Sequence, residues 1–76
     1  MPRRYRPREV IRVLESMGWL QVRQESSHVT LQLPDGRNPV TVSLSRREVP
    51  PGTLSRIIRQ AGLTSREFHR QALEIL

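Results

Sequence analysis

The sequence predicts an α+β domain of order α-β-β-β-α: a three-stranded antiparallel sheet with helices on one face, plus a short C-terminal helix. Three observations predict it. Apolar residues recur at helical spacing in two stretches, around residues 10–17 and 54–61. Between them lie three short runs in which apolar and polar residues alternate, the pattern of half-buried strands. Residues 64–67, Thr-Ser-Arg-Glu, have the form of a capping box that opens a last helix.

Each element has its own grounds. Residues 1–6, MPRRYR, form a basic lead-in expected to fray, and 7–76 form the single domain. Pro7 suits a first helical position, where its missing N–H costs nothing. Val10, Ile11, Leu14 and Met17 make one face of a helix over 8–17, and Gly18 suits its C-terminal end. In WLQVRQ (19–24), Leu20 and Val22 share one side of a strand, with Trp19, Gln21 and Arg23 on the other. HVTLQL (28–33) sets Val29, Leu31 and Leu33 against His28, Thr30 and Gln32. PDGR (34–37) is a turn. PVTVSL (39–44) sets Val40, Val42 and Leu44 against Thr41 and Ser43. SRREVPPG (45–52) reads as a loop. A helix over 53–62 follows, with Leu54, Ile57, Ile58 and Ala61 on one side and Arg56 and Arg59 elsewhere on its surface. The last helix turns Phe68, Ala72 and Ile75 inward. The polar sheet face should carry Gln21, Arg23, His28, Thr30, Gln32, Thr41 and Ser43. This is the architecture of a double-stranded-RNA-binding domain, a layout that does not itself specify function.

Composition narrows the function. A chain of 76 residues has room for one core and hides about 60% of its unfolded surface, so any active site should be a shallow face. There is no cysteine, which removes disulfides and thiolate chemistry. No apolar run approaches the ~20 residues of a membrane span, and the basic N-terminus lacks the apolar stretch of a signal peptide. A soluble cytoplasmic protein is expected. All 13 basic residues are arginine, and the net charge is +6. Guanidinium groups grip phosphates through paired hydrogen bonds and stack on bases, so a polyanion, most simply nucleic acid, is the expected partner. An acidic protein would also suit this charge, and solubility is the plain alternative.

Few residues are equipped for chemistry. His28 and His69 lie on different elements, without cysteines or clustered carboxylates, so no metal site and no cofactor is expected. No glycine-rich phosphate loop is present. Ser26 and Ser27 adjoin His28, but chain neighbours rarely align for nucleophilic activation and no third group is evident. RNA cleavage asks for less, because RNA carries its own nucleophile, the 2′-hydroxyl. It needs a proton-transfer group, which histidine supplies near neutral pH, and a cation over the phosphate. If the first two strands pair around a turn at 25–27, His28 and Arg23 come near each other on the polar face. The plainer reading of His28 is a surface histidine at a hairpin, and His69, beside Arg70, is read as structural. Trp19 is read as partly buried at the sheet edge rather than as a base-stacking ring.

The chain resembles the HicA (YcfA-like) toxins of bacterial HicAB toxin–antitoxin systems. The resemblance rests on REVIRVLESMGW (8–19), VRQESSHVTLQLPDGR (22–37), VTV (40–42) and VPPGTLSRIIRQAGLTSREF (49–68), in the family's order. It implies the double-stranded-RNA-binding type of fold, an mRNA interferase that cleaves RNA without the ribosome, and neutralisation by a HicB antitoxin. The family's catalytic histidine sits in a Gly-Ser-His motif that reads Ser26-Ser27-His28 here, which makes His28 the catalytic candidate. Arg23, Ser27, Arg37, Arg46 and Arg47 are the RNA-contact candidates. Two positions depart from the pattern. Ser26 replaces the motif glycine, which would permit positive φ, and Glu25 stands beside it. Ser43-Leu44-Ser45 replaces a Pro-x-His pattern, leaving Ser45 where a second proton-transfer group would stand. A non-catalytic RNA-binding module and an antitoxin-docking module are the alternatives.

Overall fold

The computed structural model describes residues 4–76. Its elements follow the expected order: α1 (Pro7–Ser16), β1 (Leu20–Glu25), β2 (His28–Gln32), β3 (Val40–Ser43), α2 (Pro51–Gln60) and α3 (Ser65–Ile75). The strands form an antiparallel meander of order β1-β2-β3.

α1 opens on Pro7, and the Glu9 carboxylate accepts the Arg6 backbone N–H at 2.8 Å. Its buried face is Val10, Ile11, Val13 and Leu14. Gly18 ends it at φ +102°, a conformation that glycine adopts without steric cost. α2 begins at Pro51, two residues before the expected start, because proline is tolerated where no intrahelical N–H bond is needed. Both α1 and α2 pack on β3, and α3 packs on both of them. α3 is eleven residues long, one more than either other helix, and it buries Phe68 and Ala72 completely.

The capping box of α3 is formed. The Glu67 N–H donates to Thr64 Oγ1 at 3.1 Å and the Thr64 N–H donates to Glu67 Oε1 at 3.0 Å. That backbone bond, followed by the Thr64 hydroxyl, lowers the Glu67 pKa from its ordinary 4.5. A carboxylate depressed in the folded state stabilises the fold above its unfolded pKa and loses that contribution as pH falls through the lower folded value. Glu67→Gln is therefore expected to flatten the loss of stability on acidification below about pH 4.5, read as the urea midpoint against pH. A profile unchanged from the parent's would remove the role assigned to this cap.

Residues 1–3 lie outside the described residues, but the fraying expected of the lead-in does not reach Tyr5. Its ring is 1% exposed and meets Phe68 edge-on at 5.4 Å between ring centres. The Tyr5 hydroxyl and His69 Nδ1 are 2.7 Å apart, and the Val49 N–H donates to the Tyr5 carbonyl at 2.8 Å. His69 is thus structural, as expected. An aromatic ring in an arginine-rich segment gave no periodic signal, and its site is formed by residues distant in the chain, Phe68 and His69 of α3 and Val49 among them.

β1 departs from the simple alternation. Gln21 pairs with Leu31 and Arg23 with Thr30, leaving Val22 as the extra residue of a β-bulge. The bulge shifts the phase within the strand. Gln21 lies on the helix side, where its Nε2 donates to Glu15 Oε2 at 3.2 Å, and not on the polar face as expected. Leu20 pairs with Gln32 on the open face. Leu20 and Val22 are 54% and 53% exposed, so the expected apolar side of this strand does not enter the core. Trp19 is more deeply buried than expected, at 4% exposure, and its Nε1 donates to the Asn38 carbonyl at 3.2 Å. It is a core residue and presents no stacking surface.

Candidate active site

The bulge returns Arg23 to the open face. Directly paired residues of neighbouring strands share a face. His28 pairs with Glu25 on β1 and with Ser43 on β3, and the adjacent same-face row is Arg23, Thr30 and Thr41. His28 and Arg23 therefore lie one row apart on the same open face, with His28 exposed at the first position of β2.

The turn that presents His28 consists of Ser26 and Ser27 alone and not of residues 25–27 as expected, because Glu25 is still paired with His28 as the last residue of β1. Ser26 has φ +54°. Two-residue hairpins often need a positive φ at their first loop position, and glycine meets this need most cheaply. The left-handed conformation costs an L-residue about 1–2 kcal/mol. Ser26→Gly recovers that cost, less the extra freedom glycine has when unfolded, so a net gain of about 0.5–1 kcal/mol is expected in urea denaturation. A lower midpoint would show that the serine side chain stabilises the turn. Ser27 is half-buried, and its carbonyl accepts the Leu44 N–H at 2.6 Å, tying the turn to the end of β3.

The charges around His28 are partly matched. Glu25 Oε1 lies 3.4 Å from Arg23 Nη1, with both side chains well exposed; such a pair contributes about 0–1 kcal/mol and yields to a stronger anion. Ser43 Oγ and Ser45 Oγ are 2.8 Å apart. The end of β3 thus offers hydroxyls beside His28 and no second imidazole.

The arginine candidates separate. Arg37 belongs to the β2–β3 turn at the far end of the sheet, since the Leu33 N–H donates to its carbonyl. Five residues along a strand span about 16 Å, so Arg37 does not join His28. Its guanidinium is instead paired with Asp35, whose pKa is lowered by the Arg37 backbone N–H and then by the side chain. Arg46 and Arg47 are consecutive but line different clefts. Arg46 lines a small one of about 150 Å³ together with Ser43, Thr53 and Arg56. Arg47 lines another, against the start of α1. The sequence placed Arg56 on the surface of its helix but carried no sign that it joins Arg46, because nine residues of loop and helix separate them. Among the described residues, no group of three or more His, Asp or Glu side chains could hold a metal ion.

On this α-β-β-β-α-α frame, the family pattern of the HicA toxins of bacterial toxin–antitoxin systems matches residues 7–63. The chain belongs to the HicA toxin family. Members are the toxin halves of toxin–antitoxin pairs and are generally ribonucleases, so this toxin pairs with an antitoxin. No individual curated protein matches it. No helix among the described residues of this HicA-family chain is long and apolar enough to cross a membrane. The family match ends before α3 and begins after Tyr5, although Tyr5 and Phe68 both lie in the core.

Proposed function

We propose that this HicA-family toxin is a metal-independent endoribonuclease that cuts cytoplasmic mRNA with His28 as general acid/base. The single observation that carries this reading is the shared open face of exposed His28 and Arg23, one row apart. The neutral imidazole takes the proton of a ribose 2′-hydroxyl. The freed oxygen attacks the adjacent phosphorus, the bond to the 5′-oxygen breaks, and that oxygen leaves with a proton from the imidazolium or from water. The products are a 2′,3′-cyclic phosphate and a 5′-hydroxyl end.

Arg23 faces the charge that develops on the phosphate, with Arg46 as the second cation at the end of β3 and Ser27 as a turn contact. When RNA displaces Glu25 from Arg23, a phosphate takes the carboxylate's place on the guanidinium. A HicB-type antitoxin neutralises the toxin by covering this basic face, which closes off His28.

The test compares an RNA with its 2′-deoxy copy, in the presence of a chelator. Cleavage of the RNA alone, with cyclic-phosphate ends, is the expected result. Cutting of the deoxy copy, or a requirement for added metal, overturns this chemistry. The serine at position 45 favours a second reading, a non-catalytic RNA-binding module, in which RNA is bound but never cut.

A further inference from the structure

The start of α1 and the residue before it present arginines that the proposed chemistry does not use. Arg6, Arg8 and Arg12 line a shallow cleft of about 420 Å³ together with Pro7, Glu9, Leu44 and Arg47. Among the described residues, the ion pairs are Arg4–Glu48, Arg23–Glu25 and Arg37–Asp35. None of the four cleft arginines therefore faces a carboxylate at ion-pair distance. Among the described residues Glu9 is the one acidic residue of the lining, and its Oε1 accepts the Arg6 backbone N–H. Arg12 Nη2 donates to the Ile75 carbonyl at 3.5 Å, which leaves most of its five N–H donors unused. The α1 N-terminus adds its partial positive charge to the same place.

Gathering four arginines around a single carboxylate leaves an excess of positive charge that is costly in the free protein, and an anion lowers that cost. The position of the cleft identifies the anion. Leu44, in its lining, donates its N–H to the Ser27 carbonyl, next to His28, and Ser43 pairs directly with His28. The step from Ser43 to Leu44 thus joins the candidate active site to the cleft. We propose that Arg6, Arg8, Arg12 and Arg47 form a second RNA-binding site, which holds the sugar–phosphate chain where it runs off the end of β3 away from His28. This site rests on the reading of the chain as an RNA-cleaving protein and adds a binding track to it. Its lining favours a phosphate chain over a protein partner: among the described residues Pro7 and Leu44 are its only apolar ones, whereas protein interfaces are built around buried aromatic and aliphatic anchors. Arginine pairs with a phosphate through two parallel hydrogen bonds and needs no apolar surface.

The experiment measures binding of a fluorescein-labelled single-stranded RNA of mixed sequence to protein carrying His28→Ala, so that cleavage does not intervene. Adding Arg8→Gln and Arg12→Gln is expected to weaken binding about tenfold or more. The slope of log affinity against log salt should fall by about 0.7 for each phosphate that the variant no longer neutralises. A charge-matched control, Arg59→Gln with Arg66→Gln, removes the same net charge from α2 and α3 and should change affinity less than twofold. Circular dichroism establishes that each variant is folded. Equal weakening by both pairs would mean that net charge alone binds RNA, and overturns the site. Unchanged RNA binding with diminished affinity for the purified antitoxin would assign the cleft to that protein and also overturns it. The nuclease reading fails separately, if protein with an intact His28 leaves RNA uncut while the cleft variants still lose binding.

Discussion

His28→Ala is expected to abolish RNA cleavage, with a rate loss of about 10²–10⁴-fold, the range a positioned acid–base group contributes. The fold should be untouched, because His28 is exposed and no hydrogen bond or ion pair among the described residues involves its ring. Expression of the parent should therefore arrest cells while the variant does not, at equal protein level and equal thermal midpoint. His28→Gln separates proton transfer from contact: glutamine keeps a polar side chain but cannot titrate, so it should be as inactive as alanine while binding RNA like the parent. Cleavage persisting in either variant would move the chemistry away from this ring. Arg23→Gln is expected to slow cutting less, because a cation over the phosphate assists the reaction without carrying the proton.

Phe68→Ala is expected to cost about 3–5 kcal/mol, the usual result of emptying a fully buried aromatic site. A 76-residue domain has a total stability of about 4–11 kcal/mol. The variant should thus be largely unfolded, or melt at least about 12 °C lower at roughly 4–8 °C per kcal/mol. Phe68 is 0% exposed, and its ring lies edge-on to both Tyr5 and His69, at 5.4 and 5.7 Å between ring centres. It draws the segment before α1 and the helix after the family match into one core. Tyr5→Phe keeps the ring and loses the hydroxyl bond to His69, for an expected cost of only about 0.5–1.5 kcal/mol. If Phe68→Ala melted within a few degrees of the parent, α3 would be an appendage and not part of the core.

The elements set by local periodicity are legible in the order of residues alone. The spacing of Val10, Ile11 and Leu14 describes α1, and the buried Val29 and Leu31, alternating with His28 and Thr30, describe β2. Thr64 and Glu67 announce α3, since a capping box joins residues three apart. The placement of His28 is legible for the same reason, because a two-residue turn fixes which residue begins the next strand. β1 is not legible. The alternation from Leu20 to Arg23 is regular in the chain, and the extra residue at Val22 exists only against its partner strand.

By itself the sequence determined the order of helices and strands, the arginine-based positive charge, a reversal of the chain just before His28 and the membership in the HicA toxin family. Tertiary structure alone decided that Gln21 leaves the polar face, that Tyr5 enters the core, that Arg37 stands apart from His28, and that Arg47 joins Arg6, Arg8 and Arg12 at α1. The physical reason is range. Helical and strand patterns arise from backbone geometry repeated over a few residues, whereas a bulge, a ring packed against a distant helix and a cluster of like charges are fixed by contacts between segments far apart in the chain.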